Sequence, residues 1–300
     1  MVISLADIQL KTVVLDNGET IGYRERLGGD EVLILIHGNM TSSKHWDVLL
    51  EAFDPFYTLY ALDLRGFGIS TYHTPIDSIK DFSDDVKAFM DAIGLEKASL
   101  LGWSTGGAVS MQFAIDYPER VKRLILLASA STRGYPFYQM GPNGEKCRIA
   151  KKADIAVDPG KTLPILSAYR TKNKAFLKEL WNSLIYTNEQ PSTEKYEEYL
   201  EDMLTQQNLV DVYHALNTFN ISTVHNGVKE GTGKAKDIKA PTLVLWGEND
   251  LVATEQMTNE ILEDLGENAE FELLIECGHS PLIDNLEQLL EKITSFLQKV

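Results

Sequence analysis

A serine, a histidine and a carboxylate, far apart in the chain, have the types needed for acyl-transfer chemistry. The serine is Ser104, in "LLGWSTGGAVS" at residues 100–110. Gly102, Gly106 and Gly107 crowd around it. An apolar run, "KASLLGW", leads in, and a helix-like run, "TGGAVSMQFAIDYP", leads out. Glycine inside an element is destabilising, so glycines on both sides of one serine indicate a sharp strand-to-helix turn. Such a turn strains the serine backbone. It needs small residues two before and two after, and leaves the hydroxyl exposed. The helix behind it turns free N–H groups and a positive dipole end toward a developing oxyanion.

A serine hydroxyl is a weak nucleophile and needs a base, itself oriented by a third group. With the serine on such an elbow, the chain order is serine, acid, histidine. The histidines are His37, His45, His73, His214, His225 and His279. Only His279, in "IECGHSPLID" after the strand-like "FELLIE", lies beyond the elbow in an α/β context, so it is the expected base. The acid belongs at a strand end between the two. "TLVLWGENDLV" offers Asp250, which leaves room for the turn, and Glu248 as the second choice. The plainer role for Asp250 is a helix cap for the segment that follows. The oxyanion would be met by the Thr105 N–H and by a second N–H from "HGNMTSSKHW". Asn39 is favoured there over Met40, with His37 bonding to neighbouring backbone.

These groups need strands and helices to hold them. "IQLKTVVLD" and "ETIGYRERL" read as a hairpin turned at Asn17-Gly18. "EVLILIHG" is a continuous apolar run, the pattern of a parallel strand buried on both faces. Strand and helix patterns then alternate through "VKRLILLAS" at 121–129, which implies a parallel sheet covered by helices. From about residue 131 the rhythm breaks, and no convincing buried strand occurs before about 237. Amphipathic helical segments take over: "NKAFLKELWNSLIY", "STEKYEEYLEDMLTQQ", capped by Ser192 or Thr193, and "LVDVYHALNTF". The α/β rhythm resumes with "APTLVLWG". The expected organisation is therefore a core in two parts, 1–130 and 237–300, with a helical block, 131–236, inserted between two strands of one sheet.

Four stretches, "HGNMTSS", "DLRGFGIS" at 63–70, "GWSTGG" and the "WGENDLV"/"GHSP" pair, resemble the α/β-hydrolase superfamily over nearly the whole chain. The resemblance implies a mostly parallel eight-stranded sheet flanked by helices, with residues 131–236 as a helical cap. It also implies a triad of Ser104, Asp250 and His279 and an oxyanion hole at Asn39 and Thr105. "HGNMTSS" is similar to the loop of haloalkane dehalogenases, which use an aspartate nucleophile. Here a serine stands in that place, so acyl transfer is implied. The expected substrate is a small to medium carboxylic ester. A lactone or a carbon–carbon bond beside a ketone is the alternative, and a ligand-binding, receptor-like protein is the non-enzyme alternative. Tyr135, Phe137, Tyr138, Trp181, Tyr213 and Phe219 give the block an apolar underside, one or two of them lining the substrate pocket.

Composition limits the partners. The 300 residues are 44% hydrophobic and carry a formal net charge of −16. That charge repels nucleic acid and anionic membranes, and the expected partner is a small molecule. Strongly anionic substrates are disfavoured at long range unless a local cation intervenes. Arg133 is the candidate, with a solvated loop charge as its plainer role. No cofactor or metal is expected: the histidines are scattered, and no phosphate-cradling motif appears. The N-terminus lacks a secretory pattern. Cys147 and Cys277 form no CxxC spacing and read as small buried hydrophobes, so a reducing cytoplasm fits.

Overall fold

A computed structural model describes residues 7–141 and 143–299. The chain begins with β1 (Ile8–Val14), β2 (Thr20–Arg26) and β3 (Glu31–Ile36), then α1 (Asp47–Ala52), β4 (Tyr57–Leu62) and α2 (Ile79–Ala92). The elbow joins β5 (Ala98–Trp103) to α3 (Thr105–Asp116), and β6 (Val121–Leu127) follows. Next come the short strands β7 (Tyr138–Met140) and β8 (Lys146–Arg148). The helices α4 (Lys152–Ala156), α5 (Thr162–Thr171), α6 (Lys174–Leu184), α7 (Thr193–Met203) and α8 (Leu209–Thr218) complete this stretch. The chain closes with β9 (Thr242–Gly247), α9 (Glu255–Leu265), β10 (Ala269–Leu274), α10 (Pro281–Asp284) and α11 (Leu286–Leu297).

Eight strands form one sheet in the order β1-β2-β4-β3-β5-β6-β9-β10. The hairpin β1–β2 is antiparallel, and β2 also pairs antiparallel with β4. All pairings from β4 to β10 are parallel. The apolar runs read from the sequence are the central strands, and their side chains alternate between two cores. Leu33, Leu35, Leu101 and Trp103 face one layer with Trp46, Leu49 and Ile293. Ile34, Ile36 and Leu100 face the other with Phe89, Val109 and Ile261. At the hairpin, Gly18 adopts φ 86° and its N–H donates to the Leu15 carbonyl, as the Asn-Gly pair predicts.

The stretch between β6 and β9 holds more than the helices read from its periodicity. An antiparallel pair, β7–β8, and the helices α4 and α5 precede α6. The strands have three residues each and β7 is exposed throughout, so they lack the alternation that marks a half-buried strand. At α7, Ser192 is the cap: its hydroxyl accepts from the Lys195 N–H at 3.3 Å. Trp181, Tyr196, Tyr199 and Leu200 of this stretch join the core cluster that contains Trp46 and Leu49.

Candidate active site

Ser104 occupies the junction of β5 and α3 with φ 55° and ψ −113°. This backbone shape is strained for a residue with a side chain. It is held by hydrogen bonds on both sides: Ser104 N–H donates to Leu127, and its carbonyl accepts from Gly107 and Ala130. The glycines answer to contact rather than to dihedral freedom. A Cβ on Gly102 would lie 2.2 Å from the Gly106 carbonyl oxygen. One on Gly106 would lie 2.0 Å from the Ile36 carbonyl oxygen, and one on Gly107 2.0 Å from Ser129 Oγ. The helix thus abuts β3, β5 and the end of β6 at backbone distance.

His279 follows β10. Its Nδ1 lies 2.9 Å and 3.0 Å from the two carboxylate oxygens of Asp250. Facing a carboxylate, Nδ1 donates, so in the neutral imidazole Nε2 is the nitrogen that keeps its lone pair. Asp250 Oδ1 also accepts from the Val252 and Ala253 N–H groups at 2.7 Å and 2.9 Å, and its carboxylate is fully buried. Three donors, one imidazole and two backbone N–H groups, hold that charge in place. Asp250 does not cap the helix that follows, since α9 is capped by Thr254. Glu248 is exposed and accepts from the Glu276 N–H, away from the imidazole. The β9 end meets the histidine loop closely because Gly247 has no side chain: a Cβ there would lie 2.4 Å from the Cys277 carbonyl oxygen. The carbonyl of His279 accepts from the Trp103 indole N–H at 2.8 Å, which ties the histidine loop to the elbow strand.

The loop after β3 presents Gly38, Asn39 and Met40. Among the described residues, the N–H groups of Asn39, Met40 and Thr105 donate to no protein acceptor. His37 shapes this loop from below. Its Nδ1–H donates to the Gly38 carbonyl at 2.7 Å, and its Nε2 accepts from the Leu64 N–H at 2.9 Å. Burial pushes the imidazole down to about 4, so it is neutral, as this pair of bonds requires. The stretch "DLRGFGIS" braces the same loop. Asp63 accepts from the Ser43 and Ile69 N–H groups, and Arg65 pairs with the buried Asp85. The loop is also held from α7 and the turn beyond it: Ser42 Oγ donates to Asp202 at 2.6 Å, and the Gln206 amide donates to Asn39 Oδ1 at 2.7 Å.

A cavity of about 260 Å³ collects these groups. Asn39, Met40, Ser104, Thr105 and His279 line it from the sheet side. Tyr135, Lys161, Ile165, Phe176, Trp181 and Tyr213 line it from the stretch between β6 and β9. Ser104 and His279 both line this space, and no hydrogen bond joins their side chains; such bonds are commonly long until substrate is bound. Of the aromatics singled out in the sequence, Tyr135, Trp181 and Tyr213 line the cavity. Phe137 and Phe219 are buried outside its lining, and Tyr138 is exposed on β7. Arg133 is not the cation of this site: Glu260, Glu263 and Asp264 surround its guanidinium. Lys161 was missed by sequence reading, because it stands in a short polar turn with no periodic pattern to place it.

Burial pushes the Cys277 thiol up to about 12, so it stays protonated in the core, whereas Cys147 is only partly buried. Among the described residues no group of three or more His, Cys, Asp or Glu side chains could hold a metal ion, and no helix is long and apolar enough to cross a membrane.

Comparisons with known proteins agree with this geometry at the level of fold. A family model described as alpha/beta hydrolase fold matches residues 31–286. A 2-hydroxy-6-oxononadienedioate/2-hydroxy-6-oxononatrienedioate hydrolase of Paraburkholderia phymatum is 27% identical over 292 residues, covering 95% of this chain and 93% of that protein. The solved esterase from Exiguobacterium antarcticum superposes with a TM-score of 0.74 at 17% identity, over 97% of this chain and 100% of the other. The enol-lactonase from Burkholderia xenovorans does so with a TM-score of 0.73 at 18% identity, over 96% and 100%.

Proposed function

The chain belongs to the alpha/beta-hydrolase family, and on that premise we propose that it is a serine hydrolase that cleaves small to medium carboxylic esters through an acyl-enzyme on Ser104. The observation that carries the reading is the buried His279–Asp250 pair on the rim of the cavity that also holds Ser104. In this reading His279 Nε2 takes the Ser104 proton as Oγ adds to the ester carbonyl. The oxyanion is met by the Asn39 and Thr105 N–H groups. The imidazolium, steadied by Asp250, returns the proton to the departing alkoxide. Water then repeats the sequence on the acyl-enzyme, with His279 again as base. The stretch between β6 and β9 acts as a lid over the cavity, and its apolar side chains select the acyl group.

A second reading, hydrolysis of a carbon–carbon bond beside a ketone, is favoured by one finding: the relative from Paraburkholderia phymatum is named for a 2-hydroxy-6-oxo dienedioate substrate. The same nucleophile and oxyanion donors would serve. The leaving group would then be a carbon acid that departs as a delocalised enolate and needs a proton. The deciding experiment is a hydrolysis screen over esters, lactones, amides and 2-hydroxy-6-oxo-dienoates of graded length, with Ser104→Ala as control. The ester reading expects esters to exceed matched amides, with activity insensitive to a chelator. It also expects a fluorophosphonate adduct on Ser104 by mass spectrometry and a fall on the order of 10⁶-fold in Ser104→Ala. An adduct on Cys277, or full activity without the serine, would overturn it. Turnover of the dienoates alone would transfer the assignment to the second reading.

A further inference from the structure

Lys161 is the residue of the cavity that the catalytic reading leaves without a task. Its Nζ stands 4.4 Å from the ring centre of Tyr135, 4.5 Å from that of Phe137 and 5.5 Å from that of Tyr213. It forms no ion pair among the described residues, in a chain whose acidic residues far outnumber its basic ones. Asp158, the nearest acid along the chain, accepts from the Lys161 and Thr162 N–H groups and so fixes the backbone of this turn. One polar contact reaches the ammonium itself, the Tyr135 hydroxyl at 3.4 Å. His279 aside, Lys161 is the only ionisable cation among the described residues lining this mostly apolar cavity.

From this geometry, and resting on the hydrolase reading of Ser104, we infer that Lys161 is a specificity-determining residue that binds a carboxylate carried by the substrate. Three aromatic faces hold the ammonium and replace part of its hydration, since a ring quadrupole attracts a cation. Rings offer no acceptor in the plane of a hydrogen bond, so two of the three ammonium donors stay unspent. A carboxylate reaching them gains a charge-assisted bond beside three aromatic rings, at a partly buried lysine. A single ammonium, with no guanidinium fork and no second cation beside it, matches a singly charged group rather than a phosphoryl dianion. The net charge of −16 would repel such a substrate at long range, but the repulsion between exposed charges is screened beyond about 8–10 Å, whereas Lys161 acts inside the cavity.

The test compares p-nitrophenyl monoesters of succinic, glutaric and adipic acids with the same esters whose far carboxylate is replaced by a carboxamide. The wild type is expected to prefer the acid at one chain length by about 10–100-fold in kcat/KM, chiefly through KM. Lys161→Met, which keeps the apolar stem, should collapse the acid-to-amide ratio to about one or below, and Lys161→Arg should retain most of it. A ratio unchanged in Lys161→Met overturns the inference. So does an equal loss on acid and amide, which is the mark of a structural lysine in an aromatic cluster. Calorimetric binding of the free dicarboxylic acid to Ser104→Ala, with and without Lys161→Met, decides the matter independently of turnover. If no ester is hydrolysed but the acid binds in a Lys161-dependent way, the hydrolase reading fails and the carboxylate site stands. If hydrolysis proceeds and acid binding ignores Lys161, the reverse holds.

Discussion

Replacing Asp250 by Asn isolates one proton position in this site. The carboxylate accepts from His279 Nδ1 at both oxygens and from two backbone N–H groups at Oδ1. In Asp250→Asn the amide oxygen can still accept from Val252 and Ala253, so the turn after β9 persists. The amide nitrogen, however, replaces Oδ2, 2.9 Å from Nδ1, and it donates rather than accepts. Two donors cannot face each other. The imidazole must take the other tautomer, with its proton on Nε2 pointing at Ser104, and it can then no longer accept the hydroxyl proton. A tautomer held in the wrong form lowers kcat by roughly 10⁴-fold in a triad of this kind, equivalent to about 5 kcal/mol of barrier at about 1.4 kcal/mol per decade. Stability should change far less, because every backbone donor keeps its acceptor. Asp250→Ala would strand those donors and should cost about 1–3 kcal/mol for each one left buried and unsatisfied. The assay is steady-state hydrolysis of a short p-nitrophenyl ester, with thermal unfolding alongside and Glu248→Gln as the control carboxylate. A loss below tenfold in Asp250→Asn, or an equal loss in Glu248→Gln, would refute the reasoning.

Burial holds the His37 imidazole down to about 4 from 6.5, so the unfolded chain takes up this proton first. The histidine's contribution to stability is complete above about pH 6.5 and declines as pH falls toward 4, by about 3 kcal/mol in all. Urea titrations of wild type and His37→Asn across that range should show the wild type losing this increment and the variant lacking it. Phe176→Ala opens the cavity wall at a partly buried ring. Its optimum on a p-nitrophenyl ester series should move to acyl chains longer by two or more carbons; an unchanged optimum would remove Phe176 from the wall. Gln206→Ala releases the Asn39 side chain. It should lower kcat by about 3–30-fold, the range corresponding to one lost hydrogen bond, with KM little changed, which stopped-flow measurement of the acylation phase would read directly.

The elbow turn was legible in the sequence because local covalent logic dictates it, whereas His279 and Asp250, which the fold brings to 2.9 Å and which are proposed as base and acid, were picked out by chain order and strand ends. A serine with glycines at 102 and 106 after a buried strand admits few backbone shapes; the contact of Gly102 lies within the motif, at the Gly106 carbonyl, whereas that of Gly106 is with the neighbouring strand at Ile36. Asp250 against Glu248 turned on a turn geometry of three residues, which spacing can suggest. The hairpin β7–β8 and the helices α4 and α5 left no such mark. Their elements have three to ten residues; α4 and α5 pack on α8, and β7 is exposed throughout, so neither strand is long enough to show an alternation. The same holds for the charges. Arg133 stood near a strand end and looked available, yet it is held by three acids, two of them four residues apart on α9. Lys161 stands in the turn "DPGKT", which drew no attention in the sequence, yet the rings its ammonium meets, those of Tyr135, Phe137 and Tyr213, are 26, 24 and 52 positions away. Ion pairing and cation–ring contact are properties of the assembled fold, and no local pattern encodes them.

The way the inserted stretch touches the site divides the labour within it. Its α7 end and the turn into α8 hold the loop that carries Asn39: Asp202 takes the Ser42 hydroxyl, Gln206 takes the Asn39 amide oxygen, and Asn208 donates to the Arg65 carbonyl in the bracing stretch. These are polar and short, at 2.6–2.7 Å, and buried or partly buried, and they act on the position of a backbone N–H that an oxyanion would meet in the proposed reading. Its α5 and α6 instead offer Ile165, Phe176, Leu180 and Trp181 to the cavity, contacts that are apolar and tolerant of exchange. The proposed reading therefore expects substitutions on α5 and α6 to change substrate preference with little effect on the chemistry. Exchanging the whole stretch for that of a relative would disturb the oxyanion loop as well as the pocket wall. In the proposed reading the chemistry falls to strand ends that the sheet fixes, and the choice of substrate to one half of the stretch between β6 and β9, whose other half holds the Asn39 loop in place.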